Sequence, residues 1–98
     1  MYRIRQTRDF ASWLLGLRDE IGAARITRRI ERLASGALGD VRPVGSGLHE
    51  LRVDHGPGYR VYFVQPGKFE IVLLTGGSKD SQQRDIRCAR TLAANLED

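Results

Sequence analysis

Cysteine and histidine are scarce in this chain, which limits the disulfide bonds and metal sites that it can form. The single cysteine, Cys88, allows no internal disulfide, which is typical of a protein of the reducing cytoplasm. Cys88 lies in a helical pattern, where we expect a half-buried structural thiol. Two histidines, His49 and His55, do not make a metal-ligand set with one distant cysteine. We therefore expect a cytoplasmic protein without a metal site, and we expect no other cofactor.

Long apolar runs are also missing. No stretch of the sequence approaches the ~20 apolar residues of a membrane-spanning helix. Residues 1–5 contain two arginines and lack the apolar segment of a signal peptide. The 98 residues suffice for one modest hydrophobic core. We therefore expect a single domain, residues 1–98, with no membrane partner.

Arginine is the residue that the chain has in excess. Sixteen basic residues oppose twelve acidic ones, which gives a net charge of +4, and fourteen of the sixteen are arginine. The planar guanidinium group is suited to bidentate contacts with phosphate and to stacking. A basic surface favours a nucleic acid or an acidic protein as the partner, without choosing between them.

Two strands with a tight turn between them form the most distinctive pattern. Residues 48–54 and 59–64 each alternate apolar and polar side chains, and Gly56-Pro57-Gly58 lies between them. Side chains alternate faces along a strand, so each predicted strand has one apolar and one polar face. Only the register parity that pairs Leu51 with Val61 keeps the two apolar sets together, because a slip of one residue reverses the faces of one strand.

The same register gathers charge on the polar face. The parity sets Arg52 opposite or diagonal to Arg60, and Glu50 near Tyr62. Two adjacent guanidinium groups repel each other unless an anion lies between them. The pattern therefore indicates either a phosphate-binding face or a solvated face on which Glu50 neutralises one arginine.

Three amphipathic helices are predicted from apolar side chains that recur at intervals of three and four residues. Thr7 and Asp19 are the expected N-caps of the first two helices, and Asp80 with Gln83 resembles a capping box for the third. Trp13, in the first helix, is expected in the core rather than on a binding surface.

The segments between these helices predict the sheet. Residues 2–6 alternate like a short strand, and residues 69–75 are apolar on both faces like an interior strand. Residues 36–47 are rich in glycine and are predicted to form a loop. Pro66-Gly67 is expected at the centre of a type II turn. The predicted fold is α+β, with the order β-α-α-β-β-β-α and the helices packed on a small, mostly antiparallel sheet.

The second predicted helix carries a basic ridge on its outer face. Its members, spaced over about two helical turns, are Arg25, Arg28, Arg29 and Arg32. A solvated helix face is the ordinary interpretation of such a cluster, and contact with the phosphates of RNA is the alternative.

Short motifs spread over nearly the whole chain carry a family resemblance. In chain order they are Phe10…Trp13-Leu14…Leu17, Ile30…Leu33…Gly36…Gly39-Asp40, Glu50-Leu51-Arg52, Gly56-Pro57-Gly58-Tyr59-Arg60-Val61-Tyr62-Phe63 and Leu73-Leu74…Gly76-Gly77-Ser78-Lys79…Gln82…Asp85-Ile86…Ala89. With these motifs the chain resembles the RelE/ParE superfamily of bacterial type II toxin–antitoxin systems, and within it the HigB-like addiction module killer proteins.

The resemblance implies a RelE-like fold and an mRNA interferase, a toxin that cleaves mRNA without a metal and usually in the A site of the ribosome. In this reaction the 2′-hydroxyl attacks the neighbouring phosphate and leaves a 2′,3′-cyclic phosphate and a 5′-hydroxyl. The implied partners are mRNA, the ribosome and a cognate antitoxin, a small helix-turn-helix protein encoded next to the toxin. The complex of toxin and antitoxin commonly binds operator DNA and represses its own operon.

The resemblance also points to residues of a catalytic site. Arg60 matches a catalytic arginine of the family, Arg52 matches a basic position on the preceding strand, and Lys79 lies where relatives carry a basic or histidine catalytic residue. Such cations can stabilise the charged phosphorane. The residues available as general acid and general base differ from those of the family, because no tyrosine or histidine follows Tyr62. Glu50 is the candidate base, by its position beside Arg52, and a salt bridge is its alternative role.

Three further residues are candidates with open alternatives. Tyr62 can stack on a base or donate a proton, whereas Tyr59 is expected in the core. His55, in the turn between the strands, is a candidate for proton transfer and for contact with RNA. Gln82 can contact a base or cap the last helix.

Two other functions share the predicted fold. A ParE-like inhibitor of DNA gyrase needs no catalytic residues, and a non-catalytic corepressor or binding module needs only its complex with the antitoxin. The grouping of Arg52, Arg60 and Lys79 favours the nuclease over the gyrase inhibitor.

Overall fold

The order of helices and strands is given by a computed structural model, which describes residues 1–96. The elements are β1 (Arg3–Gln6), α1 (Arg8–Leu15), α2 (Glu20–Ala34), β2 (Val41–Gly45), β3 (Leu48–Val53), β4 (Tyr59–Gly67), β5 (Glu70–Ser78), a 3₁₀ turn (Lys79–Ser81) and α3 (Gln82–Ala94). The last two residues of the predicted domain, Glu97 and Asp98, lie outside the described residues. Within the described part of the chain, no helix is long and apolar enough to cross a membrane.

The strands form one five-stranded sheet in the order β1-β5-β4-β3-β2. β1 runs parallel to β5, and all the other neighbours are antiparallel. The predicted α+β class and the mostly antiparallel sheet are therefore confirmed. β2 is a correction, because it lies in the segment 36–47 that the glycine content predicted to be a loop. It is an edge strand, where Pro43 is tolerated, and its register with β3 shifts between Pro43 and Gly45.

The register of β3 and β4 agrees with the sequence pattern. Leu51 pairs with Val61, and Arg52 pairs with Arg60. The polar face of this hairpin is nevertheless not solvated, because α3 packs across it and Glu50 is buried there. The predicted solvation of this face is therefore wrong at Glu50 and Arg60, whereas the predicted neutralisation of one arginine by Glu50 is confirmed.

Two hydrophobic clusters, one on each face of the sheet, hold the helices in place. α1 and α2 cover one face. The buried residues of the cluster between these helices and the sheet are Phe10, Ile26, Leu33, Leu51, Val53, Tyr59, Val61, Phe63, Ile71 and Leu73. α3 covers the other face. Its buried residues are Leu48, Tyr62, Val72, Leu74 and Ala89. β5 contributes to both clusters because it is an interior strand, as the apolar run 69–75 predicted, and Trp13 packs against the first cluster as expected.

The glycine pair Gly76-Gly77 lets helices approach β5 from both sides. A Cβ at position 76 would overlap the ring of Trp13 in α1, and one at position 77 would overlap the carboxylate of Asp85 in α3. Successive residues of a strand face opposite sides of the sheet, so the two glycines serve the two helices separately. The close packing of α1 and α3 against β5 therefore explains why both positions are glycine.

The predicted N-caps of the first two helices are confirmed. The side-chain oxygen of Thr7 accepts a hydrogen bond from the N–H of Phe10, at 3.1 Å. The carboxylate of Asp19 accepts one from the N–H of Gly22, at 2.9 Å. Each bond satisfies a backbone donor that has no partner within the helix.

The predicted start of α3 is wrong. A 3₁₀ turn precedes α3, and Ser81 occupies the N-cap position without a side-chain cap bond. The capping box of Asp80 and Gln83 is therefore not formed. Cys88 is exposed on α3 rather than half-buried.

The predicted type II turn is also misplaced. Pro66 and Gly67 lie inside β4, and Gly67 pairs with Glu70. The turn residues are therefore Lys68 and Phe69. Pro66 is tolerated because the register of β4 and β5 shifts there, between Val64 and Gly67.

Candidate functional site

A cleft of about 260 Å³ opens at the end of β3, the start of β4 and the residue after β5. We call it the basic cleft. Its lining residues are Asp40, Arg52, Val53, Asp54, Gly58, Tyr59, Arg60 and Lys79. Antiparallel pairing explains the grouping, since Arg60 pairs with Arg52 on β3 and with Gly77 on β5, two residues before Lys79. The structure thus brings together the two arginines that the strand pattern grouped and the lysine to which the family resemblance pointed.

Lys79 is held at the basic cleft by its backbone. Its N–H donates a hydrogen bond to the carbonyl oxygen of Gly58, at 2.8 Å. Gly58 has a φ of 80°, in the left-handed region that glycine adopts without strain, so the turn favours glycine here. Lys79 itself is exposed and lines the cleft, which leaves its ammonium group accessible to an incoming anion.

Arg60 is oriented by a buried carboxylate. Its Nη1 atom lies 3.1 Å from Oε1 of Glu50, and the two side chains are 9% and 3% exposed. The amide nitrogen of Gln82 donates a hydrogen bond to the other oxygen of Glu50, at 2.8 Å. Both oxygens of Glu50 are therefore bound, and its alternative role as a salt-bridge partner is the one that the structure has. Gln82 uses its amide to hold Glu50, which is neither of the roles considered for it.

Tyr62 lies beneath α3 and cannot meet a substrate. It is 0% exposed, and its hydroxyl forms no hydrogen bond with any of residues 1–96. Burial, and after it the negative charge of Glu50, raise the pKa of the Tyr62 phenol well above its usual value, so the group stays neutral. Stacking on a base and proton donation to a substrate both require access that this position lacks.

Arg52 is the half-buried basic residue of the cleft. Its Nε atom lies 3.8 Å from Oδ2 of Asp40, just before β2. Its backbone is fixed on both sides: the N–H donates to the carbonyl oxygen of Asp40 at 2.9 Å, and the carbonyl oxygen accepts from Nη1 of Arg29 at 2.7 Å. A partly exposed ion pair contributes only about 0–1 kcal/mol. An anionic ligand can therefore replace Asp40 at the guanidinium group of Arg52.

A second groove, of about 360 Å³, runs between α2 and the end of β3. We call it the arginine groove. Its lining residues are Arg25, Arg28, Arg29, Arg32, Val53 and Asp54. Three of the four predicted ridge arginines are exposed, while Arg29 reaches inward to the carbonyl oxygens of Arg52 and Leu38. Since Val53 and Asp54 line both spaces, the arginine groove continues the basic cleft.

His55 lies in the turn after β3 and is not among the residues that line the basic cleft. Its Nε2 atom is 3.5 Å from Oδ2 of Asp19, the N-cap of α2. The hydroxyl of Tyr59, which is buried as expected, donates to the same oxygen at 2.8 Å. The hydrogen bond from the N–H of Gly22, and after it that from Tyr59, lower the pKa of Asp19. These contacts join the turn to α2, so the geometry gives His55 a structural partner.

Sequence analysis missed two carboxylates of the basic cleft. Asp40 lies in the segment that was predicted to be a loop, and no pattern brought it near Arg52. Asp54 carried a signal, because it follows Val53 at the end of the alternating run and so lies at the same end of the hairpin as Arg60. Within residues 1–96, no group of three or more His, Cys, Asp or Glu side chains is arranged to hold a metal ion.

These features define a small α+β protein with a basic cleft that continues into an arginine groove. No protein-family model matches the chain. A protein from Haemophilus influenzae named "Uncharacterized protein" is 43% identical over 94 residues, which cover 96% of this chain and 95% of that protein. The chain therefore belongs to the same family as this H. influenzae protein.

Proposed function

We propose that the chain is the toxin of a type II toxin–antitoxin system, with a RelE-like fold and a place in the HigB-like branch of the RelE/ParE superfamily. Its proposed activity is that of a ribosome-dependent, metal-independent mRNA endonuclease that inhibits translation in the cytoplasm. The observation that supports this activity is the basic cleft, which Arg52, Arg60 and Lys79 line together. The family resemblance points to the same three positions as basic.

The basic cleft fits the charge that develops when a 2′-hydroxyl cleaves a phosphodiester. As the 2′-oxygen bonds to phosphorus, the non-bridging oxygens of the phosphorane gain negative charge. Arg60 has a fixed orientation, because Glu50, itself held by Gln82, binds one side of its guanidinium group. Donors that are positioned before the reaction stabilise such charge without reorganising, and the loss of one typically costs ~10²–10³ in rate.

The arginine groove offers the proposed RNA substrate a path beyond the cleft. Arg25, Arg28 and Arg32 are exposed on α2 and continue the positive surface. A strand whose reactive phosphate lies in the basic cleft would bring a flanking phosphate to these side chains. Each such contact with a single strand adds about 0.7 to the slope of log affinity against log salt.

The proposed partners are mRNA, the ribosome and a cognate antitoxin, a small helix-turn-helix protein whose complex with the toxin binds operator DNA. A net charge of +4 with fourteen arginines suits contacts with RNA and with an acidic protein segment. A neighbouring gene for a helix-turn-helix protein would support membership in a toxin–antitoxin system, but it would not separate the nuclease from the alternatives.

One observation favours the second candidate function, a ParE-like inhibitor of DNA gyrase. Arg60 is only 7% exposed, and its charge is already neutralised by Glu50. Tyr62 is buried, and no histidine of the described chain lines the basic cleft. A gyrase inhibitor needs no catalytic residues, so a structural role for the buried pair is sufficient for it. The same observation fits a non-catalytic corepressor.

The test is to map the 5′ ends of mRNA in a purified bacterial translation system, with and without the protein. Lys79→Ala is the informative variant, because Lys79 is exposed and its side chain is not part of the core. Lys68→Ala is the matched control, since the only other lysine lies in the turn between β4 and β5. We expect new in-frame ends that require ribosomes, persist with Lys68→Ala and fall by ~10²-fold or more with Lys79→Ala.

The structure makes Arg60→Ala a poor first variant. It would leave Glu50 as an unpaired buried charge, and such changes are strongly destabilising. Equal cleavage by Lys79→Ala and the wild-type protein would refute the basic cleft as the catalytic site. Intact mRNA with the wild-type protein would refute the nuclease, and a DNA supercoiling assay would then distinguish the gyrase inhibitor from the corepressor.

A further inference from the structure

The proposed reaction needs a group that takes the proton from the attacking 2′-hydroxyl, and the residues predicted for proton transfer are held elsewhere. Both oxygens of Glu50 are bound within the buried network. Tyr62 is covered by α3 and is 0% exposed. His55 lies against Asp19, outside the lining of the basic cleft. The proton acceptor therefore has to be sought among the other cleft residues.

Two carboxylates line the basic cleft, and they differ in what they contact. Asp40 lies 3.8 Å from the guanidinium group of Arg52. Asp54 is exposed, and within residues 1–96 its carboxylate forms neither an ion pair nor a hydrogen bond with another side chain. The carboxylate of Asp54 is therefore available to a ligand in the cleft that it lines.

The position of Asp54 suits the geometry of an RNA strand. It lies where the basic cleft joins the arginine groove, because it lines both. With one phosphate at Arg60 and Lys79 and the preceding phosphate at Arg28, the ribose that joins them would lie beside Asp54. That ribose carries the attacking 2′-hydroxyl. A general base must lie within about 2.6–3.2 Å of the atom whose proton it takes, and a 2′-hydroxyl in this pose would be a neighbour of the Asp54 carboxylate.

We propose, on the basis of the proposed function, that Asp54 is the general base of the cleavage step. Its carboxylate takes the proton of the 2′-hydroxyl while the 2′-oxygen forms its bond to phosphorus. The bond between phosphorus and the 5′-oxygen breaks, and the leaving oxygen takes a proton from the ammonium group of Lys79. Proton exchange with water then returns Asp54 to the carboxylate and Lys79 to the ammonium form.

The test measures single-turnover cleavage of ribosome-bound mRNA by the full chain. Asp54→Ala is expected to lower the rate constant ~10²–10⁴-fold, the usual contribution of a positioned base. Binding of mRNA is expected to persist or strengthen, because a negative charge leaves a phosphate-binding surface. Formate, a small carboxylate, is expected to restore cleavage by Asp54→Ala in proportion to its concentration. A merely structural role for Asp54 would not produce this rescue.

Asp80→Ala is the matched control. Asp80 is an exposed aspartate next to Lys79 that does not line the basic cleft, so its loss removes the same charge near the same place. We expect wild-type cleavage from Asp80→Ala, and circular dichroism spectra of both variants that match the wild-type spectrum.

Each remaining outcome would overturn a specific claim. Cleavage by Asp54→Ala at the rate of the control, or a loss that formate does not reverse, would overturn the assignment of Asp54 while the nuclease activity stands. Absence of cleavage by the wild-type chain would overturn the proposed function, and the assignment of the base with it.

Discussion

The ion pair between Arg60 and Glu50 is expected to be among the most sensitive contacts of the fold. Glu50→Ala removes a carboxylate that lies 3.1 Å from Nη1 of Arg60 and accepts a hydrogen bond from Gln82 at 2.8 Å. The guanidinium group would then stay buried without its counter-charge. Loss of one partner of a buried pair typically costs about 3–5 kcal/mol. That is a large share of the ~5–15 kcal/mol by which native proteins are stable.

A double variant separates the loss of a partner from the net contribution of the pair. Glu50→Leu with Arg60→Met removes both charges and leaves apolar side chains of comparable length on the face that α3 covers. Replacement of a buried ion pair by packed apolar residues is often neutral or stabilising. We therefore expect the double variant to be more stable than Glu50→Ala, with most of the lost free energy of unfolding restored.

Urea unfolding followed by the fluorescence of Trp13, the single tryptophan, measures these free energies. Glu70→Ala is the control, because Glu70 and Arg5 form an ion pair of the same 3.1 Å length with side chains that are 31% and 44% exposed. Exposed pairs contribute about 0–1 kcal/mol. If Glu50→Ala and Glu70→Ala cost the same small free energy, the argument from burial fails.

Two further predictions concern packing and pH. Gly77→Ala is expected to lower the free energy of unfolding by at least about 1–3 kcal/mol, because the added Cβ would overlap the carboxylate of Asp85. Gly67→Ala is the control, since a Cβ there makes only an ordinary contact at 3.8 Å. Thermal unfolding of the two variants measures the difference, and equal melting temperatures would contradict the prediction. Because the pKa of Asp19 is lower in the folded protein than its unfolded-state value of 3.8, ionised Asp19 stabilises the fold at pH values above 3.8. This stabilisation is lost as the pH falls through the lower pKa of the folded state. Asp19→Asn is expected to make stability less dependent on pH in acid, because the asparagine side chain does not titrate. Urea unfolding below pH 5 measures this pH dependence. A pH dependence equal to that of the wild-type protein would refute the contribution of Asp19.

The hairpin of β3 and β4 could be predicted in detail because a period of two leaves only one parity of register in which the apolar faces coincide. The observed pairing of Leu51 with Val61 has that parity. β2 could not be predicted in the same way. Its five residues include Pro43 and end at Gly45, and an edge strand gains its structure from pairing with β3 rather than from its own propensity.

The identity of the cleft residues was easier to predict than their accessibility. The register placed Arg52 and Arg60 side by side, but it did not show that α3 would cover the same face. The apolar residues that attract α3 come from separate strands: Leu48 from β3, and Val72 and Leu74 from β5. No local pattern shows that these side chains form one surface, since only the sheet order assembles them.

The buried network links the stability of α3 to the geometry of the basic cleft. Gln82 begins α3 and holds Glu50, and Glu50 in turn fixes the guanidinium group of Arg60. Replacement of a buried ion pair by apolar residues is often neutral or stabilising, so under the proposed function we expect the pair to serve the orientation of Arg60. If the chain is the proposed nuclease, the double variant Glu50→Leu/Arg60→Met should then be a stable protein that does not cleave mRNA. A double variant that is stable and still cleaves mRNA would show that the pair has no part in the reaction.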